Sequence, residues 1–130
     1  MNNKILETLE FDRIKGQLAQ YLVSAAGHRE LMQLVPQTDY EAVKELLTET
    51  TDGADILRLE DGIPIPQLAD IKPQLKRLKI KANLNGTELA QITKVLQTSM
   101  SVKNFFDQMR EKKIKLRVLT TQVDRLVTIP

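Results

Sequence analysis

The chain contains no cysteine and no tryptophan, and aromatic residues account for only 4% of its 130 residues. The absence of cysteine excludes disulfide bonds, thiolate metal sites and cysteine nucleophiles. With so few aromatic rings, a core has to be built mainly from leucine, isoleucine and valine. The net charge of +2 is too small to require a polyanionic partner, although it leaves room for a local basic patch.

Long apolar runs are also absent. No stretch approaches the roughly 20 apolar residues that a membrane-spanning helix needs. The first residues also lack the apolar region of a signal peptide. We therefore expect a cytoplasmic protein with no membrane partner.

Apolar residues do recur at intervals of three and four, which predicts an all-α protein. One long helix is expected from Thr38 or Asp39 through Gly53 to about Leu59, and another from Thr87 to about Met109. Shorter helices complete an irregular multi-helix array with long, lever-like helices. The expected buried stripes of the shorter helices are Ile14, Leu18, Tyr21 and Leu22; Ile71, Leu75, Leu78 and Ile80; and Leu116, Leu119, Val123 and Leu126.

Polar residues mark several expected helix starts. Asp12 is a suitable N-cap for the second helix. Thr38 is followed three residues later by Glu41, which matches the capping-box pattern. Asp70 can cap a later helix that tolerates Pro73 in its first turn. Ser24 to Gly27 is expected to be a break.

A short non-helical segment divides the chain. The pair Asp61-Gly62 should end the preceding helix, because glycine adopts positive φ without steric cost. Pro64 and Pro66 then favour extended geometry in the isoleucines before them. The predicted organisation is a helical block at 1–60, a connection at 61–67 and a helical block at 68–130. Because Pro130 follows an apolar stretch directly, we interpret the chain as an N-terminal fragment of a longer protein.

Candidate catalytic, cofactor-binding and metal-binding residues are not found. His28 is the only histidine, and a lone imidazole without partners is expected on a helix surface. The carboxylates of Glu41, Glu45, Glu49 and Asp52 share one helical face, but the Glu-x-x-His motifs of di-metal bundles are missing, so a solvated face is expected. No phosphate-cradling glycine motif occurs.

One basic cluster is a candidate nucleic-acid contact. The cluster follows the proline segment and consists of Lys72, Lys76, Arg77, Lys79 and Lys81, of which Lys72, Lys76 and Lys79 share one helical face. The candidate contact residues within it are Lys76, Arg77, Lys79 and Lys81. Lysine and arginine neutralise phosphates and release counterions. A solvated helix face explains the same spacing, and both interpretations stay open here.

Four stretches, taken in order, resemble the bacterial MutS-two family, which are relatives of the mismatch-repair protein MutS. They cover nearly the whole chain: residues 4–18 (KILETLEFDRIKGQL); 27–31 (GHREL) with Pro36 and Thr38-Asp39; 57–66 (LRLEDGIPIP); and 68–77 (LADIKPQLKR) with 84–89 (LNGTEL).

The resemblance implies a parent protein several times longer, with a helical core and lever, a clamp, an ATPase domain that binds ATP and Mg and forms a homodimer, and a C-terminal Smr nuclease domain. It further implies a parent that binds DNA, suppresses recombination and acts on stalled ribosomes through ribosomal RNA. This chain would be a non-catalytic core and lever segment whose partners are the clamp and ATPase domains.

Two other interpretations are considered. The chain could be a complete small helical adaptor that binds a partner helix through an apolar stripe. It could also be an all-α enzyme, but that requires lysine or glutamate within the apolar stripes, which contain neither. In the core-segment interpretation, some stripes face missing partners, which predicts exposed apolar surface and self-association.

Overall fold

The computed structural model describes residues 2–129, within which seven α-helices and no strands are found. A parallel bridge between Ser24 and Leu68 is the one extended pairing in this range. The all-α prediction is therefore confirmed. The helices are α1 (Asn3–Thr8), α2 (Phe11–Ala19), α3 (Ala25–Gln33), α4 (Tyr40–Glu60), α5 (Lys72–Lys79), α6 (Gly86–Glu111) and α7 (Leu119–Asp124).

Helix α4 has the expected length, but its N-terminal cap is not the predicted capping box of Thr38 and Glu41. The Asp39 carboxylate accepts a hydrogen bond from the Ala42 backbone N–H at 2.9 Å, so Asp39 is the N-cap and the Thr38 capping box is wrong. The helix continues through Gly53 and ends at Glu60, followed by the C-cap residue Asp61 with a left-handed φ of 65°. Gly62 follows with a φ of 114°, as the sequence predicts for this stop.

Helix α6 begins with a reciprocal cap that the sequence reading missed. The Asn85 side chain accepts from the Glu88 backbone N–H, and the Glu88 carboxylate accepts from the Asn85 backbone N–H, both at 2.9 Å. This capping box satisfies two N–H groups that otherwise lack intrahelical partners. The helix consequently starts at Gly86, one residue before the predicted Thr87.

One other predicted helix start and one predicted break need correction. Asp12 lies inside the first turn of α2, whose N-cap position is held by Glu10 in a left-handed conformation without a side-chain cap. The expected break at Ser24 is a helix start, because the Ser24 hydroxyl accepts from the Gly27 backbone N–H at 3.0 Å. The non-helical segment between α2 and α3 lies just before Ser24, and α3 begins at Ala25.

The core lies at one end of the molecule, between the C-terminal halves of α4 and α6 and the segment that includes α7. Phe106, Ile56 and Met109 are its largest fully buried side chains. Phe105 and Phe106 pack edge to face with ring centroids 5.6 Å apart. The buried cluster consists of Ile56, Val102, Phe106, Met109, Leu116 and Val123, with Ile63, Phe105, Ile114, Leu119 and Leu126 packed against it.

The apolar stripes of α2 and α5 are not buried as predicted. Ile14 and Leu18 on α2 are 48% and 45% exposed, and Tyr21 just beyond it is 82% exposed. On α5, Leu75 and Leu78 remain almost half exposed. The helical spacing is real, and Leu22 and Ile71 are half-buried, but the described part of the chain leaves most of these faces uncovered. Periodicity identifies a face suited to packing without identifying what packs there.

The whole chain has more surface than a compact protein of its size. Its solvent-accessible area is 10126 Å² for a mass of 14.8 kDa. The scaling of surface with mass for folded monomers gives about 7000 Å². Obligate protein interfaces bury about 2000–5000 Å² summed over both partners, roughly half of it on each. The excess of about 3000 Å² on this one chain is therefore large enough for its side of such an interface. The chain is thus a well-formed helical array with incomplete coverage of its apolar faces.

The two isoleucines that precede the prolines of the connection between α4 and α5 differ in burial. Ile63 packs against the core, whereas Ile65 is 42% exposed. Several contacts join the two sides of this connection, including the Ser24–Leu68 bridge. The division into blocks at 1–60, 61–67 and 68–130 stays a prediction. None of the helices among residues 2–129 combines the length and apolar character that crossing a bilayer requires.

Candidate nucleic-acid interface

The predicted basic cluster lies on and just after α5, whose start is fixed by Asp70. The Asp70 carboxylate accepts from the Lys72 backbone N–H at 3.0 Å, and Pro73 occupies the first turn. Asp70 therefore satisfies a helix-start donor as expected, although Ile71 holds the N-cap position. The other carboxylate oxygen of Asp70 pairs with the Arg29 guanidinium at 2.7 Å, which ties α5 to α3.

The same contacts favour the ionised form of Asp70. The backbone N–H of Lys72 is the main cause that lowers the pKa of this carboxyl, and partial desolvation opposes it. The charge and hydrogen bond of Arg29 lower the pKa further. Asp70 is accordingly an anion engaged with Arg29 and with the start of α5.

Arg77 is held by contacts within the protein, although its side chain is 45% exposed. Its guanidinium forms an ion pair with Glu88 at the start of α6. It also donates to the Asn83 backbone carbonyl at 2.5 Å. Since Glu88 is also the capping-box residue of α6, Arg77 joins the end of α5 to the start of α6. Within the candidate set, Arg77 thus has a structural task.

Lys76 and Lys79 lie on the face of α5 that points away from Arg77, and they share this face with Lys72. Both are exposed, and neither forms an ion pair with any of residues 2–129. Lys72, Leu75, Lys76 and Lys79 line a shallow open cleft of about 370 Å³. The structure therefore brings together two of the four candidate residues with Lys72, as the spacing of four and three residues along one helical face predicts.

Lys81, the fourth candidate, terminates the helix. It follows the C-cap residue Ile80 and adopts a left-handed φ of 57°. Its backbone N–H donates to the Leu78 carbonyl at 2.9 Å, which satisfies one of the last free carbonyls of α5. The side chain is exposed and does not line the lysine cleft.

Asp52 is the residue that the sequence reading placed wrongly. It was expected on a solvated carboxylate face, but it is only 2% exposed. Its carboxylate accepts hydrogen bonds from the backbone N–H groups of Val118 at 2.8 Å and Leu119 at 3.1 Å. It thereby fixes the start of α7 against α4. Sequence could not show this, because the donors lie more than sixty residues away.

The pKa of Asp52 reflects two opposing effects. Burial of the carboxylate acts to raise its pKa. The backbone N–H groups of Val118, Arg117 and Leu119, together with the charge of Arg117, outweigh burial and lower the pKa below its ordinary value of 3.8. The group is therefore a buried, hydrogen-bonded anion whose role is structural.

An apolar groove occurs on the N-terminal half of α4, away from the lysine cleft. It has a volume of about 320 Å³. Leu46 and Leu47, which line it, are 43% and 63% exposed. Its lining comprises Phe11, Leu34, Val35, Pro36, Gln37, Val43, Leu46, Leu47 and Thr50. The groove lacks charged side chains, so it suits an apolar helix face more than a polar ligand.

A metal site is not found in the described residues. Between residues 2 and 129, no group of three or more His, Cys, Asp or Glu side chains could hold a metal ion. His28 is exposed on α3, which confirms the surface position expected for it. The described residues provide contacts that hold the helices together and a face of exposed lysines on α5.

Comparison with known proteins agrees with the resemblance seen in the sequence. The full chain is 53% identical to 16% of an "Endonuclease MutS2" from Levilactobacillus brevis. It is 45% identical to 17% of the Pediococcus pentosaceus protein of that name and 47% identical to 17% of the Lactiplantibacillus plantarum one, again over its whole length. This chain matches the N-terminal part of the MutS2 family.

The match covers all 130 residues but a small share of each relative. The chain spans about one sixth of the length of these MutS2 proteins. A scan of family models found no match. The match to MutS2 proteins therefore rests on an identity of 42–53% over the full length of this chain.

Proposed function

We propose that this chain is a non-catalytic core and lever segment of a longer MutS2-type protein, whose apolar faces pack against the remainder of that protein. The observation that carries the proposal is the accessible area of 10126 Å², which exceeds that of a compact monomer by about 3000 Å². An excess of this size is sufficient for one side of a permanent interface, which buries about 2000–5000 Å² summed over both partners. The half-exposed stripes and the α4 groove are the surfaces concerned.

The parent protein would use this segment for mechanical coupling. Helix α6 has 26 residues, about 39 Å at 1.5 Å per residue, and is held at both ends by defined contacts. A rod fixed in this way transmits rigid-body movement between packed elements. Its matched relatives are named as endonucleases, so we propose a parent that binds DNA, carries endonuclease activity and depends on ATP and Mg in a homodimeric ATPase domain.

The finer activities of the parent belong to the same proposal. Suppression of homologous recombination and action on stalled ribosomes through ribosomal RNA both involve branched or structured nucleic acid. This chain would support these activities by keeping the clamp and ATPase domains in a defined position relative to each other. Its own residues would not take part in catalysis, and a cytoplasmic location follows for a protein with these targets.

The experiment is association between the two parts of one protein. The chain and the remainder of its parent are produced as separate polypeptides, mixed, and analysed by size-exclusion chromatography and by fluorescence of a dye that binds apolar surface. We expect a complex with reduced dye fluorescence. The double variant Leu46→Lys, Leu47→Lys should not associate, whereas Glu45→Lys, on the same helix outside the groove lining, should.

Two results would contradict the proposal. A chain that is strictly monomeric at high concentration and binds no dye would lack the unsatisfied apolar surface. A chain that binds dye but ignores the remainder of its parent would favour the alternative of a helical adaptor, whose partner helix would occupy the α4 groove.

A further inference from the structure

A row of three lysines on α5 is the strongest charged feature that the scaffold role leaves unexplained. Lys72, Lys76 and Lys79 are exposed and line one cleft with Leu75. Helical spacing of four and three residues places them in a line about 10 Å long. Nothing in the packing of α5 requires three cations on this face, because its structural contacts are made by other residues.

The carboxylates that contact α5 are already occupied. Asp70 pairs with Arg29 and accepts from the Lys72 backbone, and Glu88 pairs with Arg77 and closes the α6 capping box. Lys76 and Lys79 have no anionic partner within residues 2–129. Each arginine near the row thus neutralises an acid. The charge of Lys72 also acts on Asp70, whereas the charges of Lys76 and Lys79 are directed to solvent.

We infer that Lys72, Lys76 and Lys79 form a contact for the phosphodiester backbone of a nucleic acid, with Arg77 as a positioning residue that does not touch phosphate. The inference rests on the proposed role in a nucleic-acid-acting protein. At 3.4 Å of axial rise per phosphate in one strand, a row of about 10 Å spans roughly three phosphates. Lysine binds phosphate as a point charge and reads no base sequence.

This assignment changes the candidate set obtained from the sequence. Lys72 enters it, Arg77 leaves it because Glu88 and the Asn83 carbonyl hold its guanidinium, and Lys81 becomes a helix-end residue. Leu75, 43% exposed between the lysines, gives the cleft an apolar floor against which a sugar edge packs. The surface is therefore suited to backbone contact without sequence preference.

The test is the salt dependence of binding by the full-length protein that contains this chain. The probes are a single-stranded DNA, a duplex DNA and an RNA hairpin, with affinity measured by fluorescence anisotropy at several salt concentrations. The logarithm of the binding constant falls with the logarithm of salt by about 0.9 per phosphate contacted on duplex DNA and about 0.7 on single strands.

The triple variant Lys72→Gln, Lys76→Gln, Lys79→Gln should lower the affinity at least about tenfold and reduce the duplex slope by about 2.7. The matched control Lys4→Gln, Lys44→Gln, Lys115→Gln removes the same charge from exposed positions elsewhere and should leave the slope unchanged. Arg77→Gln should also leave the slope unchanged, whatever it does to stability. Comparison of the three probes identifies whether DNA or RNA is bound through the row.

Specific results would overturn the inference. Equal slopes for the triple variant and its control would show that the row contacts no phosphate. A slope reduced by about one in Arg77→Gln would return that residue to the contact set. Polyglutamate serves as an additional, acidic polypeptide probe. If the triple variant lost binding to polyglutamate while its oligonucleotide binding stayed unchanged, the row would be assigned to an acidic protein partner.

Folding and the scaffold role are followed in parallel. Circular dichroism checks the helicity of each variant, and where the triple variant unfolds, Lys76→Gln and Lys79→Gln alone should each lower the duplex slope by about 0.9. The triple variant should still associate with the remainder of the parent. If the wild-type chain associates with the remainder of the parent but the triple variant leaves the salt slope unchanged, only the lysine assignment is wrong. If the wild-type chain does not associate but the triple variant still reduces the salt slope, only the scaffold proposal is wrong.

Discussion

The two ends of α4 show how the same kind of apolar pattern leads to different outcomes. At its C-terminal end, Ile56 is fully buried against α6 and the α7 segment. At its N-terminal end, Leu46 and Leu47 line an open groove and remain 43% and 63% exposed. Both ends carry leucine or isoleucine at helical spacing. The difference lies in whether this chain contains the element that covers the face.

The largest effect should follow from breaking the packed end. Phe106→Ala removes a ring that is 1% exposed and should lower the free energy of unfolding by about 3–5 kcal/mol, because the transfer and cavity terms add. Tyr21→Ala, at a position 82% exposed, should change it by less than about 0.5 kcal/mol. Urea denaturation followed by circular dichroism measures both, and similar losses would remove the distinction between the two regions.

Asp52→Ala should give the next largest effect. It leaves the backbone N–H groups of Val118 and Leu119 without their acceptor, which costs about 1–3 kcal/mol when the groups are buried. Glu45→Ala is the matched control, since Glu45 belongs to the same carboxylate row of α4 and is exposed. Equal denaturation midpoints for the two variants would show that Asp52 does not fix α7.

Acidification should weaken the same contact. The pKa of Asp52 in the folded chain lies below 3.8, so its contribution to stability is fully present above that value and is lost as pH falls through the lower, folded pKa. Stability should therefore decline below about pH 4. Asp52→Asn should show a smaller decline, with the remainder due to groups such as Asp70, whose pKa is also lowered. An identical pH profile in wild type and variant would contradict this account.

The smallest effect concerns two glycines of the α4 region. Gly53 lies within the helix and an added Cβ meets no atom within 4 Å, so Gly53→Ala should stabilise the chain by about 1 kcal/mol. Gly62 has a φ of 114°, and Gly62→Ala should destabilise it because alanine is strained there. Thermal unfolding compares the pair, and a destabilising Gly53→Ala would mean that α4 is not continuous through residue 53.

Local signals in the sequence predicted the helices well. The stop at Asp61-Gly62, the Asp39 start and the long run that became α6 all depend on neighbouring residues, as caps and backbone preferences do. The capping box at Asn85 and Glu88 was equally local and could have been found from its Asn-x-x-Glu spacing, had asparagine been considered alongside serine and threonine.

Long-range features could not be obtained in the same way. Asp52 has the spacing of an exposed carboxylate row, and only the approach of residues 118 and 119 makes it buried. Arg77 looked like a member of a basic patch until its ion pair with Glu88 was visible. The stripes of α2 and α5 predicted buried faces, but most of their side chains are exposed among residues 2–129, because helical spacing alone does not show which element, if any, covers a face.

Hydrogen exchange tests the central claim most directly, by comparing the 130-residue chain alone with the same chain inside its full-length parent. The account predicts that amides of α6 and α7 around Phe106 are protected in both, whereas α1, α2 and the N-terminal half of α4 gain protection only in the parent. Equal protection of these segments in the two proteins would contradict the claim that the rest of the parent covers them.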